Sequence, residues 1–379
     1  MKKLAAALLA AVFVLSIALS TRAEGENVTV SAKSAILVEV ETGRVLYEYA
    51  PDEKLPPASV TKIMTMLLLM EAIERGEVGY DTVITASERA KSMGGSTIFL
   101  DTGEQMTVDD LLKGIAVASG NDACVAVAEH LSGSVETFVA VMNNRAQELG
   151  MVNTNFVTCN GLDADGHYTT ARDISIMSRE LLKHKDIFKY TTIWMDTLRG
   201  GKFQLANTNK LVRYYQGATG LKTGSTSKAG NCISATAERD NMHLCAVILG
   251  SPTSKERFSS ATNLLNYGFD NFTSVGLSQG EALGEARILK GESASVRGVT
   301  ETGCSYVVEK ANASKIERSV EMKESLSAPV KKGDIIGEMA LILDGETIAK
   351  ANIVAEGDVA KMSFAKTYVN ILKKWSKAA

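Results

Sequence analysis

The chain has 379 residues, of which 45% are hydrophobic and 22% are charged, so its composition is that of an ordinary globular protein. Its formal net charge of −3 at pH 7 argues against a nucleic acid as a partner. The five cysteines contain no C-x-x-C pair, and the four histidines contain no H-x-x-x-H or H-E-x-x-H pair. We therefore expect neither a disulfide framework nor a metal or other cofactor.

The N-terminus has the pattern of an export signal. Lys2 and Lys3 precede an apolar run over residues 4–19, and Thr21-Arg22-Ala23 is a small-x-small cleavage site. An uncleaved membrane anchor is the alternative. We predict that residues 1–23 are a cleaved signal peptide and that the protein is exported.

Residues 24–275 mix helices with strands, which predicts a first domain of the α+β class. Capping residues and glycine turns mark the boundaries of its elements. The predicted elements, in chain order, are a hairpin over 34–50, an apolar helix from about 59 to 75, helices that begin at the caps Thr107 and Thr170, a pair of strands over 229–250 and a helix from about 254 to 267.

The pattern changes in the last hundred residues. Residues 276–360 contain short alternating runs separated by glycine turns, which is typical of a small all-β domain. Residues 361–379 are rich in lysine and contain no acid, and their apolar residues recur at helical spacing: Met362, Ala365, Val369, Leu372 and Trp375. A basic amphipathic helix of this kind suits an anionic membrane surface, and a terminal helix packed on the body is the alternative.

The first pattern that points to chemistry is Ser59-Val60-Thr61-Lys62, at the start of the apolar helix. Its spacing places Ser59 and Lys62 on one helix face, one turn apart. The helix N-terminus favours developing negative charge, and apolar burial lowers a lysine pKa, which makes the neutral amine available as a base. The alternative is a capping serine beside a lysine that extends its charge into solvent. A second S-x-x-K, Ser225 to Lys228, lies in a glycine-rich loop.

Two further patterns are weak when each is taken alone. Ser119-Gly120-Asn121 lies between two predicted helices, where Asn121 is either a site amide or a helix cap. Lys222-Thr223-Gly224 comes just before a predicted strand. Gly224 lets a substrate backbone approach, Lys222 offers charge to a carboxylate, and a backbone amide there offers half of an oxyanion hole. The alternative is an ordinary turn with a solvated lysine.

The order S-x-x-K, S-x-N, K-T-G within one mixed domain resembles the serine penicillin-recognising enzymes. The chain looks most like the low-molecular-mass D-alanyl-D-alanine carboxypeptidases, and the resemblance covers most of residues 35–270. Its supporting stretches include PPASVTKIMT, NGLDADGHYTTARDIS, NTNKLV and GLKTGSTSKAGNCISATA. The middle motif is not the Ser-Asp-Asn of class A β-lactamases, and no E-x-x-L-N occurs. Both departures favour the carboxypeptidase.

The resemblance implies a fold and a setting for the protein. We expect a penicillin-binding/β-lactamase-like transpeptidase domain, an antiparallel sheet with helices, in residues 24–275, and a small all-β domain in 276–360. Residues 361–379 would anchor the enzyme to the extracytoplasmic face of the cytoplasmic membrane. The implied partners are peptidoglycan stem peptides that end in D-Ala-D-Ala, and β-lactam antibiotics.

The resemblance also assigns the catalytic steps. Ser59 would attack the carbonyl of the penultimate D-alanine, and Lys62 would take the serine proton. Ser119, in hydrogen-bond contact with Lys62 and Lys222, would pass a proton to the leaving D-alanine. A β-lactamase or D,D-endopeptidase of the same fold is one alternative, and a non-catalytic wall-binding module is another.

The remaining residues would bind the substrate. Asn121 would hold the substrate amide, and Lys222 with the Thr223 hydroxyl would meet the terminal carboxylate. The backbone amides of the nucleophile and Ser225 would form the oxyanion hole. Arg257, on the helix after the strand pair, would help to bind the carboxylate, with a surface salt bridge as its alternative.

Overall fold

The computed structural model describes residues 28–368, so the predicted signal peptide lies outside the described residues. The helices are α1 Lys62–Glu74, α2 Glu88–Lys91, α3 Val108–Ala116, α4 Asn121–Ser132, α5 Val135–Glu148, α6 Ala171–Lys183, α7 Phe188–Thr191, α8 Leu211–Tyr214, α9 Ser254–Asn271 and α10 Lys310–Ala313. Two 3₁₀ turns are Ala58–Thr61 and Lys185–Ile187.

The strands are β1 Ser34–Glu39, β2 Val45–Tyr49, β3 Val83–Thr85, β4 Gln105–Thr107, β5 Met195–Leu198, β6 Phe203–Ala206, β7 Ala218–Thr226, β8 Gly230–Arg239, β9 Met242–Ser251, β10 Phe272–Leu277, β11 Ala282–Leu289, β12 Ser295–Thr300, β13 Cys304–Glu309, β14 Glu317–Met322, β15 Ser325–Ser327, β16 Ile335–Leu343 and β17 Glu346–Ala355.

The first domain is built on a five-stranded antiparallel sheet with the order β2-β1-β9-β8-β7. Both faces of this sheet are covered. Because side chains alternate along a strand, Ile36 and Val38 of β1 join the larger core with α1, while Ala35 and Leu37 join a second core against α9. The prediction of an antiparallel sheet with helices is confirmed, and β7 forms an edge of that sheet.

Helix α1 explains the unusually apolar stretch that follows Lys62. Its side chains from Lys62 to Met70 are all buried, because the larger core surrounds the helix on every side. The predicted helix began at Ser59, but in the structure the 3₁₀ turn Ala58–Thr61 comes first. The nucleophile candidate therefore lies in a tight turn at the head of a buried helix.

The second domain is all-β apart from the short helix α10. Six of its strands form one sheet with the order β14-β16-β17-β12-β11-β15, and β10 pairs with β13. Strand β10 begins at Phe272, directly after α9, and pairs in register from Phe272↔Glu309 to Leu277↔Cys304. The sheet structure of this domain therefore starts a few residues before the predicted boundary at 276.

The chain end is described only in part. Residues 364–368 are helical, and the rest of the predicted helix over 361–379 beyond residue 368 lies outside the described residues. Within residues 28–368, no single helix is both long and apolar enough to cross a membrane. Helices α4 and α5 reach that length and hydropathy only as a pair that is bent by 84°.

Gly268 provides a test of how closely α9 packs on the central sheet. A Cβ at this position would lie 2.5 Å from Leu244 Cδ1 and 2.9 Å from Leu37 Cδ2. Alanine gains about 1 kcal/mol in helix propensity, but overpacking a core costs about 1–3 kcal/mol. We expect Gly268→Ala to lower the free energy of unfolding in urea by up to about 2 kcal/mol. Ser259→Ala, on the exposed face of α9, should not lower it, and a Gly268→Ala protein as stable as wild type would contradict this packing.

Candidate active site

Ser59 and Lys62 are in direct contact. The Lys62 Nζ atom lies 2.9 Å from Ser59 Oγ, although Lys62 is fully buried and Ser59 is only partly buried. Burial lowers the pKa of the Lys62 amine below its usual value, because the charged form loses its hydration. The alternative of a lysine that extends into solvent is therefore wrong.

The other two neighbours of the Lys62 amine are carbonyl oxygens. Nζ donates to Asn121 Oδ1 at 2.6 Å and to the backbone oxygen of Asn160 at 2.6 Å. A neutral amine has two N–H donors and one lone pair, and a carbonyl oxygen only accepts. With both N–H groups given to the carbonyls, the lone pair faces the Ser59 hydroxyl. This arrangement is that of a base next to a nucleophile.

Asn121 is held at both ends of its side chain. Besides accepting from Lys62, it donates through Nδ2 to the Gly94 carbonyl at 2.7 Å. The N-cap of α4 is Gly120, and the Asn121 side chain bonds to Lys62 and Gly94 instead, so the capping alternative is wrong. The Nδ2 group has a second N–H, which is the donor left for the predicted contact with a substrate amide.

Ser119 lies at the corner between α3 and α4. It is buried and has a φ of +64°, a left-handed conformation that is uncommon for a residue with a side chain. The predicted hydrogen bonds from its hydroxyl to Lys62 and Lys222 are not found among the described residues, where Lys222 Nζ instead donates to the Thr223 carbonyl at 3.0 Å. The structure places Ser119 in the right corner but without those two contacts.

The Lys222-Thr223-Gly224 motif lies inside β7 rather than before a strand. The prediction missed this because small and polar residues in an edge strand resemble a turn. Lys222 is buried, so the alternative of a solvated lysine is wrong. Burial and then the charge of Lys62 lower the Lys222 pKa well below its usual value. The Thr223 hydroxyl donates to Thr208 Oγ1 at 2.7 Å.

Strand β7 runs directly against the turn Ala58–Thr61, which carries the nucleophile candidate Ser59 and is named the nucleophile turn below. A Cβ built on Gly224 would lie 2.8 Å from the Ser59 backbone nitrogen and 2.9 Å from the Pro57 oxygen, so only glycine fits here. The Ser59 amide and the next residue of the strand, Ser225, therefore belong to one small region. This is the juxtaposition that the predicted pair of oxyanion donors requires.

Arg257 lies on the first turns of α9 and is buried. It donates through Nη1 to the carbonyls of Gly224 at 3.2 Å and Cys232 at 3.4 Å, and no ion pair of Arg257 is found within residues 28–368. The alternative of a surface salt bridge is therefore wrong. Burial lowers its pKa to about 10, which leaves the guanidinium charged at neutral pH. Arg257 supports β7 through backbone carbonyls.

Some parts of the site were invisible in the sequence. Lys62 donates to the backbone carbonyl of Asn160, a group that no residue type identifies. Thr208 lies in the stretch NTNKLV, which supports the family resemblance but gave Thr208 no role of its own. The second S-x-x-K has no such setting: Ser225 and Lys228 are exposed, and Lys228 pairs with Asp165 at 3.4 Å. Among residues 28–368, no group of three or more His, Cys, Asp or Glu side chains is placed to hold a metal ion.

Comparison with known proteins accounts for almost the whole chain. Residues 20–253 match a family model described as D-alanyl-D-alanine carboxypeptidase, and residues 273–361 match the C-terminal domain of penicillin-binding protein 5. D-alanyl-D-alanine carboxypeptidase DacF from Bacillus subtilis is 41% identical over 100% of both chains. D-alanyl-D-alanine carboxypeptidase DacA from Haemophilus influenzae is 35% identical over 88% of this chain and 86% of its own.

Solved structures give the same result for the fold. Penicillin-binding protein 5 from Haemophilus influenzae aligns with a TM-score of 0.72 at 34% identity, over 88% of this chain and 98% of that one. Penicillin-binding protein D2 from Listeria monocytogenes, solved with ampicillin bound, aligns with a TM-score of 0.59 at 33% identity, over 64% and 100%. The fold is that of the low-molecular-mass penicillin-binding proteins, as predicted. The chain belongs to the D-alanyl-D-alanine carboxypeptidase family of serine hydrolases.

Two buried histidines predict how stability depends on pH. Burial lowers the pKa of both His167 and His243 to about 4, whereas an unfolded histidine binds its proton below about pH 6.5. As the pH falls, these histidines bind protons in the unfolded chain at a higher pH than in the folded protein. The free energy of unfolding therefore falls as the pH drops from about 6.5 toward 4. Each ring contributes at most ~1.4 kcal/mol per pH unit.

The measurement is urea unfolding at pH 7 and pH 5. We expect His243→Gln to lose less stability between these two pH values than the wild type does. The control is His130→Gln, at an exposed position of α4, which should follow the wild type. Equal losses in the wild type and His243→Gln would contradict the pH dependence assigned to His243.

Proposed function

We propose that the protein removes the terminal D-alanine from peptidoglycan stem peptides that end in D-Ala-D-Ala, through an acyl-enzyme on Ser59. The observation that carries this proposal is the 2.9 Å contact between Ser59 Oγ and the buried amine of Lys62. That amine has its two N–H groups engaged by carbonyl oxygens, which leaves its lone pair for the serine proton. Family membership supplies the substrate class.

In acylation, Ser59 Oγ forms a bond to the carbonyl carbon of the penultimate D-alanine while Lys62 takes the serine proton. The C–N bond to the terminal D-alanine then breaks. Ser119 passes the proton from Lys62 to the leaving amine, which requires its hydroxyl to move into contact with Lys62. The left-handed backbone at Ser119, a conformation that clusters at functional sites, supports this assignment.

The oxyanion of the tetrahedral intermediate lies between the amides of Ser59 and Ser225. The close approach of Gly224 to the nucleophile turn supports this pairing. Losing one such donor typically lowers the rate by ~10²–10³. The donors are backbone groups held by β7 and the 3₁₀ turn, so they need no reorganisation when charge develops.

The terminal carboxylate of the substrate binds Lys222 and the Thr223 hydroxyl. An anion beside a buried amine raises the pKa of that amine, so substrate binding restores the charge that burial disfavours. Arg257 adds a permanent positive charge behind Gly224. Asn121 binds the substrate amide through the second N–H of Nδ2 and keeps its bond to the Gly94 carbonyl.

In deacylation, water hydrolyses the ester on Ser59. A β-lactam would acylate the same serine, but its leaving group stays attached after the ring opens and obstructs the water. A released D-alanine leaves that path open. The chain has no E-x-x-L-N motif to supply a deacylating glutamate, which favours a long-lived penicillin adduct over the β-lactamase alternative.

The first test combines a turnover assay with intact-protein mass spectrometry. The wild type should release D-alanine from a D-Ala-D-Ala tripeptide and form a lasting penicillin adduct, and Ser59→Ala should do neither. Lys62→Arg should fold but acylate at least ~10³-fold more slowly, because arginine stays protonated. The matched control is Lys228→Arg at the exposed second S-x-x-K, which should acylate at the wild-type rate.

Each alternative predicts a different result in these assays. Fast penicillin turnover without an adduct would identify a β-lactamase, and cleavage of cross-linked peptides without release of D-alanine would identify an endopeptidase. An adduct that persists in Ser59→Ala would move the nucleophile elsewhere. If the folded wild type is inactive in all of these assays, the protein is the non-catalytic wall-binding module of the second alternative.

We further propose that residues 1–23 direct export and that residues 361–379 hold the enzyme on the extracytoplasmic face of the cytoplasmic membrane. The basic amphipathic pattern supports this. In the helical part that is described, the rings of Phe364 and Tyr368 are 89% and 58% exposed, one turn apart. Large apolar side chains on a lysine-rich terminal helix suit the interface of an anionic bilayer.

Liposome binding tests the anchor. The mature full-length protein should bind vesicles that contain anionic lipid, more weakly as salt rises, because lysines supply part of the attraction. A chain that ends at residue 360 should stay in solution and still release D-alanine. If the full-length protein fails to bind anionic vesicles even at low salt, the anchor proposal is wrong.

A further inference from the structure

The turn that presents Ser59 has an unfavourable backbone conformation at the residue before it. Ala58 has a φ of +49°, in the left-handed region that residues with a side chain rarely adopt. Such conformations cost of order 1–3 kcal/mol and persist only where the surroundings impose them. The contacts of the Ala58 peptide therefore identify what holds the nucleophile in place.

Two contacts hold the Ala58 carbonyl. The Thr61 hydroxyl donates to it at 2.9 Å. Gly161, with a φ of +84°, lies against it so closely that a Cβ at Gly161 would be 1.9 Å from the Ala58 oxygen. The carbonyl is thus contacted by the Thr61 side chain of its own turn and by one residue from the loop over residues 155–168.

His167 connects that same loop to the Thr61 hydroxyl. Its Nδ1 accepts from the backbone N–H of Val157 at 2.9 Å and of Thr158 at 3.3 Å, so Nδ1 carries no proton. The proton of the neutral ring is then on Nε2, which lies 2.9 Å from Thr61 Oγ1. Hydrogen bonds therefore run in one direction, from His167 Nε2–H to the Thr61 hydroxyl and from that hydroxyl to the Ala58 carbonyl.

The ring is well suited to hold this geometry. His167 is buried, so water does not compete for its hydrogen bonds, and burial keeps the imidazole neutral at physiological pH. The loop is closed by backbone bonds between Asn155 and Tyr168, and it carries the Asn160 carbonyl that accepts from Lys62. The imidazole thus links the nucleophile turn to the segment that orients the base.

We propose that His167 is a positioning residue for acylation, which acts through the Thr61 hydroxyl to fix the turn that presents Ser59. This inference rests on the proposed role of Ser59 as the nucleophile. A histidine that only stabilises the core would affect folding and leave the acylation rate of the folded protein unchanged. A positioning residue must lower the limiting rate of acylation at saturating substrate without weakening substrate binding, because it touches no substrate.

The test uses Thr61→Val, which replaces the hydroxyl by a methyl group, and Thr61→Ser, which keeps the hydroxyl and loses the methyl group. Thr61→Val removes the link between His167 and the Ala58 carbonyl at nearly constant volume, and Thr61→Ser keeps it. We expect Thr61→Val to lower the limiting rate of acylation at saturating penicillin ~10–100-fold with little change in the dissociation constant of the penicillin complex, since small misplacements of reacting groups have effects of this size. Thr61→Ser should acylate at least about tenfold faster than Thr61→Val.

Two substitutions of His167 distinguish the contribution of Nδ1, which accepts from the loop, from that of Nε2, which donates to Thr61. His167→Asn places an acceptor where Nδ1 was but does not reach Thr61, whereas His167→Gln places an amide N–H near the position of Nε2. The Asn variant should therefore resemble Thr61→Val, and the Gln variant should recover part of the loss. The double variant Thr61→Val/His167→Asn should be no slower than the slower single variant, because both remove the same connection.

The rates are compared on folded protein, below the unfolding temperature of each variant. A Thr61→Val protein that acylates at the wild-type rate, fully additive losses in the double variant, or weaker penicillin binding at an unchanged limiting rate of acylation would overturn the inference. If His167→Asn does not fold, the two Thr61 variants decide the question by themselves. If the wild type itself is not acylated at Ser59, the proposed function fails instead, so the two failures are distinguishable.

Discussion

The amine of Lys62, held out of water between a serine hydroxyl and two carbonyl oxygens, is the constraint around which this site is built. An ammonium ion in this position would lack most of its hydration, and the protein offers carbonyl dipoles rather than a direct carboxylate partner. Burial therefore lowers the pKa of the Lys62 amine and shifts it toward the neutral form, which is the form that accepts a proton. Burial of α1 is what creates this condition, since the whole helix lies inside the larger core.

The remaining elements of the site contact either the Lys62 amine or the turn that carries Ser59. Helix α4 brings Asn121 to one N–H of the amine, and the loop over residues 155–168 brings the Asn160 carbonyl to the other. Strand β7 lies against the nucleophile turn through Gly224, and Arg257 of α9 holds that strand through backbone carbonyls. The second core, between the central sheet and α9, thus supports the side of the site that is formed by β7 and contains Lys222.

Much of this was predictable from short-range patterns. The three-residue spacing of Ser59 and Lys62 and the apolar run after them predicted their contact and the burial of the amine. Glycine-separated alternating runs predicted the β domain, although strand β10 begins ahead of the predicted boundary because it continues directly from α9. The order of the three motifs identified the family before any geometry was known.

The failures have a common physical origin in long-range contacts. Three contacts join residues that are separated in the sequence: Lys62 with the Asn160 carbonyl, His167 with Thr61, and Thr208 with Thr223. The first uses a backbone carbonyl, which every residue carries, and the third uses two threonine hydroxyls, which are common. The alternative of Arg257 as a surface ion is wrong, because Arg257 is buried against the carbonyls of Gly224 and Cys232. The hydrogen bonds predicted from the Ser119 hydroxyl to Lys62 and Lys222 are not found among the described residues, where Lys222 donates to the Thr223 carbonyl.

The two glycines that flank the nucleophile turn limit how such an enzyme escapes antibiotics. Gly161 lies against the Ala58 carbonyl and Gly224 against the Ser59 amide, so neither position accepts even one methyl group without displacing the turn. Under the proposed mechanism the natural peptide and a β-lactam both react at this turn, so crowding it would remove both reactions together. Selection for drug resistance in this protein is therefore directed away from the nucleophile turn, toward the outer surfaces where the two ligands differ in shape.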